Sequence, residues 1–172
     1  MVAGPSGSGK TTTCGRVVSA SPQRGLSVSG LVTWVERTDG GVERWVQDLR
    51  SSQRRLLARE AETQRMGSPR WRFSSEGLLW GDQILAAACP TDVLVIDEVG
   101  PLELLHGSGW RRGVLLALAG PFRLAVVAVR PPLVSHLLEL VGPLASEAVL
   151  VTPGRESRDT SALDCVLAEA AS

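Results

Sequence analysis

The stretch that decides the fold is Gly4-Pro5-Ser6-Gly7-Ser8-Gly9-Lys10-Thr11. It satisfies the pattern G-x-x-x-x-G-K-[ST] at every required position. The glycines allow successive backbone N–H groups to turn inward, and a helix beginning after the loop adds about half a positive charge at its amino end. A loop of this kind surrounds phosphate groups. We therefore expect residues 4–11 to bind the phosphates of a nucleotide.

Two residues of this loop carry specific chemistry. We expect Lys10 to reach the β and γ phosphates as a catalytic cation, and the Thr11 hydroxyl to ligate Mg²⁺. Lys10 is the only lysine among 18 basic residues, and a compact ammonium suits the loop better than a wide guanidinium does. The predicted nucleotide-binding residues are Gly4, Pro5, Ser6, Gly7, Ser8, Gly9, Lys10, Thr11 and Thr12.

A strand that ends in two acids supplies the second half of the predicted site. The continuous apolar run from Val93 to Ile96 is typical of a strand buried on both faces, and Asp97 and Glu98 follow it directly. Ligands of open α/β sheets bind at the carboxyl ends of the strands. We expect Asp97 to hold Mg²⁺ through water and Glu98 to activate the water that attacks the γ-phosphate.

The remaining patterns favour an α/β protein with a mostly parallel central sheet, helices on both faces and an antiparallel hairpin near one edge. Asp39-Gly40-Gly41 is the hairpin turn, and Ser74 or Ser75 caps a helix. The predicted strands are Met1–Ala3, Val28–Glu36, Val42–Leu49, Trp71–Phe73, Val93–Ile96, Leu124–Val129 and Ala148–Thr152. The predicted helices are Lys10–Ser19, a weak one over 50–65, one from Ser74 or Ser75 to Cys89, Gly109–Ala119, Leu133–Leu140 and Ser161–Ala170.

Only three residues precede Gly4, although a strand that leads into such a loop normally has about five or six. We expect this strand to lie in the middle of the sheet. The short start therefore predicts either a longer reading frame upstream or a fold that tolerates a shortened central strand.

Length and charge limit the possible classes of protein. A chain of 172 residues suits one domain, so we predict a single unit over residues 1–172. Lysine plus arginine and aspartate plus glutamate each total 18, so no general positive potential favours a nucleic-acid partner. No apolar run reaches the roughly 20 residues that span a bilayer. We expect a cytoplasmic protein that does not bind a membrane. The sequence does not indicate whether the protein has a protein partner.

The segment Val95-Ile96-Asp97-Glu98-Val99-Gly100-Pro101-Leu102-Glu103-Leu104 resembles the D-E-[IV]-G-x-[ML]-E segment of a family of small P-loop nucleoside triphosphatases. Weaker similarities follow in the family's order, at residues 30–33, at 57–59 and at 152–159. Ser157 departs from the family's asparagine. The resemblance implies the three-layer P-loop NTPase fold, with Mg²⁺ as cofactor. It also implies hydrolysis of ATP, GTP and other nucleoside triphosphates with loose base selectivity.

An arginine is expected to meet the transferring phosphoryl group. Arg130 follows the strand Leu124–Val129 and Arg158 follows the strand Ala148–Thr152, so both are candidate catalytic residues at the edge that holds the loop. Weaker candidates come from the arginine-rich segment that we expect to act as a lid or flap: Arg59, Arg65, Arg70 and Arg72.

Two other functions remain open from the sequence. A P-loop kinase for a nucleoside or another small molecule could use the arginine-rich stretch between Arg50 and Arg72 to bind a second phosphorylated substrate. A nucleotide-dependent regulatory switch could have incidental turnover. The acid at position 98 favours water as the acceptor, and therefore a nucleoside triphosphatase.

Overall fold

A computed structural model describes residues 1–61, 71–142, 152 and 158–171. Along these residues lie seven strands and six α-helices. The strands are β1 (Val2–Ala3), β2 (Val28–Thr38), β3 (Gly41–Asp48), β4 (Arg54–Glu60), β5 (Trp71–Phe73), β6 (Val93–Val99) and β7 (Leu124–Val129). The helices are α1 (Lys10–Ala20), α2 (Ser75–Ala86), α3 (Pro101–Leu104), α4 (Arg111–Ala119), α5 (Val134–Val141) and α6 (Arg158–Ala171).

The strands form one mixed sheet in the order β1-β7-β6-β2-β3-β4-β5. The first four strands of this order pair in parallel, and β2, β3, β4 and β5 pair antiparallel. The α/β class is as predicted. The antiparallel part of the sheet extends further than the single predicted hairpin, because β4 and β5 continue it.

The predicted weak helix over residues 50–65 is wrong, because Arg54–Glu60 is strand β4. Its backbone pairs with β3 on one side and with β5 on the other. Leu57 and Ala58 are buried in the strand, and their arginine neighbours point away from the core. Arginine, leucine and alanine have a weak preference for helix, and two neighbouring strands that offer backbone hydrogen bonds override it.

Strand β6 is buried on both faces, as its apolar run predicts. Val93 and Val95 pack into the cluster that includes Cys14 and Val17 of α1. The alternate residues Leu94 and Ile96 pack into a second cluster, which includes Leu85 of α2 and Val114 and Ala117 of α4. Helices therefore cover both faces of the parallel half of the sheet, since neighbouring side chains of a strand point to opposite faces.

Gly30 allows β2 to run close beside β6. Its φ angle is 110°, and a Cβ atom at this position would collide with the carbonyl oxygen of Val95, the residue it pairs with. Only glycine combines a positive φ with such a close approach. The close pairing brings the backbone of Thr33, three residues further along β2, beside the end of β6.

Most other predicted elements agree with the structure to within a few residues. The hairpin turn lies between Thr38 and Gly41, and the Ser74 Oγ accepts a hydrogen bond from the Gly77 N–H as a helix cap. The predicted strand Ala148–Thr152 lies outside the described residues except for Thr152. The prediction that β1 lies in the middle of the sheet differs from the described sheet, in which β1 is an end strand paired only with β7. Within the described ranges no helix is both long and apolar enough to cross a bilayer.

Candidate active site

The glycine loop connects β1 to α1 with a backbone that its glycines permit. Gly7 and Gly9 have φ angles of 76° and 100°, in the left-handed region that favours glycine. Gly9 is also the N-cap of α1, so the amino end of this helix opens onto the loop. Pro5, Ser6, Gly7, Thr11 and Thr12 are exposed, whereas Gly4 is buried.

Ser8 carries a polar atom that fits a phosphate ligand. Its Oγ is buried and has no hydrogen-bond partner among the described residues. A buried hydroxyl without a partner has a free-energy cost, and an anion held by the loop would remove that cost. The side chain therefore agrees with the predicted phosphate site.

The ammonium group of Lys10 lies inside the loop rather than in solvent. Only 5% of Lys10 is exposed, and its Nζ donates hydrogen bonds to the carbonyl oxygens of Gly4 at 2.8 Å and Pro5 at 3.0 Å. The same Nζ lies 3.9 Å from the Glu98 Oε2. The structure thus brings together the predicted phosphate-binding cation and one of the two predicted acids.

Asp97 joins the loop to β2 through both of its carboxylate oxygens. Oδ1 accepts a hydrogen bond from the Thr11 hydroxyl at 3.2 Å, and Oδ2 accepts one from the Thr33 backbone N–H at 3.3 Å. The residue is 1% exposed. Burial raises the pKa of Asp97 from 3.8 to about 6, although the hydrogen bonds from Thr33 and Thr11 oppose the increase.

The donor atoms of Thr11 and Asp97 fit a small divalent cation. Both are hard oxygen atoms, the type of ligand that Mg²⁺ prefers. Mg²⁺ binds such oxygens at about 2.0 to 2.1 Å in an octahedron, so neighbouring ligands lie about 3 Å apart. The two oxygens lie within hydrogen-bond distance, 3.2 Å, so an ion bound to the Thr11 oxygen would have Asp97 close enough to hold one of its waters, as predicted.

Glu98 lies between two cations at the same edge of the sheet. Its Oε1 accepts a hydrogen bond from the Arg130 Nε at 2.8 Å, and its Oε2 faces Lys10. The Glu98 side chain is 18% exposed and the Arg130 side chain 45% exposed. Arg130 follows β7, the strand between β1 and β6, so the strand order accounts for its position beside Glu98.

Of the other predicted arginines, Arg59 and Arg72 have described side chains, and both lie in the antiparallel part of the sheet. Arg158 is the first residue of α6, but its side chain, like Arg65 and Arg70, lies outside what is described. Arg59 instead forms an ion pair with Glu43 of β3 at 3.0 Å. Arg50 donates three hydrogen bonds to backbone carbonyls after α2, which is a structural role.

The sequence reasoning missed two groups that support the site. One is the Thr33 backbone N–H, whose position depends on the pairing of β2 with β6. The other is Glu103, which is 5% exposed and accepts hydrogen bonds from the N–H groups of Gly100 and Trp110. The signal for Glu103 was its place in the motif that follows Asp97, but the sequence alone assigned it no contact.

A phosphate-binding loop between a strand and a helix, with two acids at the end of a buried parallel strand beside it, defines a P-loop nucleotide-binding α/β protein. The chain belongs to the NTPase family, whose model matches residues 1–158. This membership agrees with the resemblance in the motif after Val95.

Two curated relatives are named nucleoside-triphosphatase THEP1. The protein from Caldivirga maquilingensis is 34% identical over 114 residues, which cover 65% of this chain and 64% of the relative. The protein from Methanothermobacter thermautotrophicus is 36% identical over 108 residues, which cover 60% of this chain and 61% of the relative. The matched part of the chain thus spans about three fifths of each relative.

Two solved structures share the fold. The solution structure of a human cancer-related nucleoside triphosphatase superposes with a TM-score of 0.69 at 22% identity, covering 97% of this chain and 94% of that one. The crystal structure of THEP1 from Aquifex aeolicus gives a TM-score of 0.66 at 21% identity, and the match covers 97% of this chain and 95% of that one. At these identities the likeness concerns the fold alone.

Proposed function

We propose that this protein is a Mg²⁺-dependent phosphohydrolase that converts ATP, GTP and other nucleoside triphosphates to the diphosphate and inorganic phosphate. The observation that carries the proposal is the position of the Glu98 carboxylate, between Lys10 and Arg130 and next to the paired oxygens of Thr11 and Asp97. Family membership and the names of the relatives support the same activity. We assign residues 1–172 to one three-layer P-loop NTPase domain.

The loop and Lys10 bind the substrate in this proposal. The backbone N–H groups of the loop from Ser6 to Thr12 and the amino end of α1 receive the phosphate oxygens. The Lys10 ammonium already lies among the loop carbonyls, so it needs only a small movement to reach the β and γ phosphates. The buried Ser8 hydroxyl gains an acceptor in the same step.

Thr11 and Asp97 are the residues that would hold the metal ion. Bound there, Mg²⁺ would neutralise the charge of the β and γ phosphates. The Thr33 N–H holds the second oxygen of Asp97, so the carboxylate keeps its orientation towards Thr11. Orientation by a neighbouring hydrogen bond is the usual way in which a protein prepares a metal ligand.

Glu98 is the general base for the attack of water. As the water oxygen bonds to the γ-phosphorus, a water proton passes to the Glu98 carboxylate and the bond to the β–γ bridging oxygen breaks, which releases the diphosphate. Arg130 lies within hydrogen-bond distance of Glu98, and its guanidinium can stabilise the negative charge on the γ-phosphoryl group. A further proton transfer from Glu98 to solvent or product completes the cycle.

Phosphate release from purified protein tests the proposal. In a panel of nucleoside triphosphates with Mg²⁺ or with EDTA, we expect release only with the metal and without any added acceptor. The Glu98→Gln variant should bind nucleotide with unchanged affinity and lose about 100-fold or more in rate. The matched control is Glu76→Gln, because Glu76 is an exposed acid of α2 whose ion pair, among the described residues, is with Arg55.

Two results would contradict parts of this proposal. An unchanged rate in Glu98→Gln would remove Glu98 from the mechanism. Turnover that required a nucleoside or another phosphoryl acceptor would replace the hydrolase with a kinase.

A further inference from the structure

Glu103 is a buried acid that follows the proposed base, Glu98, in the next turn of the chain. Strand β6 ends at Val99, one residue after Glu98, and the chain turns at Gly100 into α3. The Oε2 of Glu103 accepts a hydrogen bond from the Gly100 N–H at 3.0 Å. A buried carboxylate thus holds the backbone two residues beyond Glu98.

The other oxygen of the same carboxylate is attached to a helix. The Oε1 of Glu103 accepts a hydrogen bond from the Trp110 N–H at 3.0 Å, at the start of α4. Arg111 adds a hydrogen bond to the Glu103 carbonyl oxygen at 2.8 Å. Trp110 is 3% exposed and belongs to the main hydrophobic cluster, so Glu103 is attached to a residue packed in the core.

The absence of a side chain at Gly109 leaves space for the Glu103 carboxylate. Gly109 has a φ angle of 61°, and a Cβ atom there would collide with the Oε1 of Glu103. A side chain at position 109 would therefore displace Glu103 from the Trp110 N–H. The free-energy cost of burying the acid appears in its pKa, which desolvation raises above the ordinary value although both N–H donors oppose the increase.

The attachment of α4 to the rest of the molecule does not depend on Glu103 alone. Asp82 of α2 is 8% exposed and accepts hydrogen bonds from the Gly113 N–H at 2.6 Å and from Arg112 at 2.7 Å. These contacts join α2 to α4. What Glu103 adds is the connection between α4 and the Gly100 turn, two residues after Glu98.

We propose that Glu103 is a positioning residue for hydrolysis, which holds Glu98 in line with the γ-phosphate by joining the Gly100 turn to α4. The inference depends on the proposed function, in which Glu98 is the base. A displacement of about 1 Å in a catalytic group costs up to about 100-fold in rate. A carboxylate suits this role because its two oxygens accept from two N–H groups at once.

The Glu103→Gln variant tests the proposal at constant side-chain size. Its amide has one acceptor oxygen, and its NH₂ group would face one of the two N–H donors. We expect kcat to decrease by about 10- to 100-fold while the nucleotide Kd changes by less than about threefold. The matched control is Asp82→Asn, which likewise replaces one of two buried carboxylate oxygens that accept hydrogen bonds from α4 with an NH₂ group. It should lower the melting temperature and leave kcat within about threefold.

A second measurement separates positioning from general weakening of the fold. If Glu103 acts through Glu98, then adding Glu103→Gln to the Glu98→Gln variant should change the residual rate by less than about twofold. A further 10-fold loss in the double variant would overturn the proposal. A kcat for Glu103→Gln equal to that of Asp82→Asn would also overturn it.

A shorter acid provides the same comparison if Glu103→Gln does not fold. Glu103→Asp keeps the carboxylate but cannot reach both N–H groups, so a decrease in kcat with unchanged Kd supports the proposal and an unchanged kcat contradicts it. Failure of the proposed function is distinguishable, because it appears as an unchanged rate in Glu98→Gln. Loss of activity in Glu98→Gln with a normal rate in Glu103→Gln would overturn only the role of Glu103.

Discussion

Replacing Asp97 with asparagine should make the metal-free protein more stable while it abolishes phosphate release. The Asp97 carboxylate is almost completely buried, and desolvation raises its pKa from 3.8 to about 6. At pH values between these two pKa values, the Asp97 carboxylate binds a proton more tightly in the folded protein than in the unfolded chain. The free energy of unfolding therefore decreases as the pH rises from about 4 to 6, and this loss persists at higher pH.

The size of the effect follows from the shift. One pKa unit corresponds to about 1.4 kcal/mol, so an increase of about two units corresponds to a loss of about 3 kcal/mol at neutral pH. Asparagine has the same shape and no charge. Its Oδ1 can accept from the Thr33 N–H, and its amide can donate to the Thr11 hydroxyl. We therefore expect Asp97→Asn to be more stable than the wild type by about 2 to 3 kcal/mol at pH 7.5.

Guanidinium denaturation in EDTA, followed by tryptophan fluorescence, measures this difference. At pH 4 the wild-type aspartic acid is mostly protonated and resembles asparagine, so the two stabilities should converge. Added Mg²⁺ with nucleotide should stabilise the wild type and not the variant. A variant that is less stable at pH 7.5, or a difference that does not depend on pH, would refute the argument that burial of the charge has this cost.

Three further variants test other parts of the structure. Lys10→Ala should weaken nucleotide binding by about tenfold or more in a calorimetric titration, and undiminished affinity would contradict the placement of the phosphate site. Arg130→Ala should lower kcat by about 100-fold with a smaller effect on Kd, and partial recovery in Arg130→Lys would show that charge at this position matters. Gly30→Ala should destabilise the protein by more than about 3 kcal/mol in denaturation experiments, because its Cβ would meet the Val95 carbonyl oxygen; normal stability would refute this close approach.

The local features of the site could be predicted from the sequence to within a residue or two. The sequence predicts the glycine loop and the buried strand with Asp97 and Glu98 near its end, and the structure brings them together. Strand β7 has the predicted bounds Leu124–Val129. These predictions succeeded because each depends on a short stretch, either on glycines that allow a positive φ or on an unbroken apolar run.

Other parts of the site depend on residues that are far apart in the chain. Arg130 and Arg158 were equal candidates from the sequence, and the order of the strands places Arg130 beside Glu98, 32 residues away. Glu103 was part of a motif, but its role depends on the N–H groups of Gly100 and Trp110. No local pattern states which backbone groups a buried acid will meet.

The sequence by itself determined that this protein has a glycine loop before a helix, two acids near the end of a buried strand and the α/β class. These features follow from conformational preferences that act within a few residues. Only the tertiary structure decided that Arg54–Glu60 is a strand, that Arg130 contacts Glu98 and that Glu103 holds the turn behind it. The physical reason is that each depends on a partner supplied by another part of the chain, and such partners can override local preference.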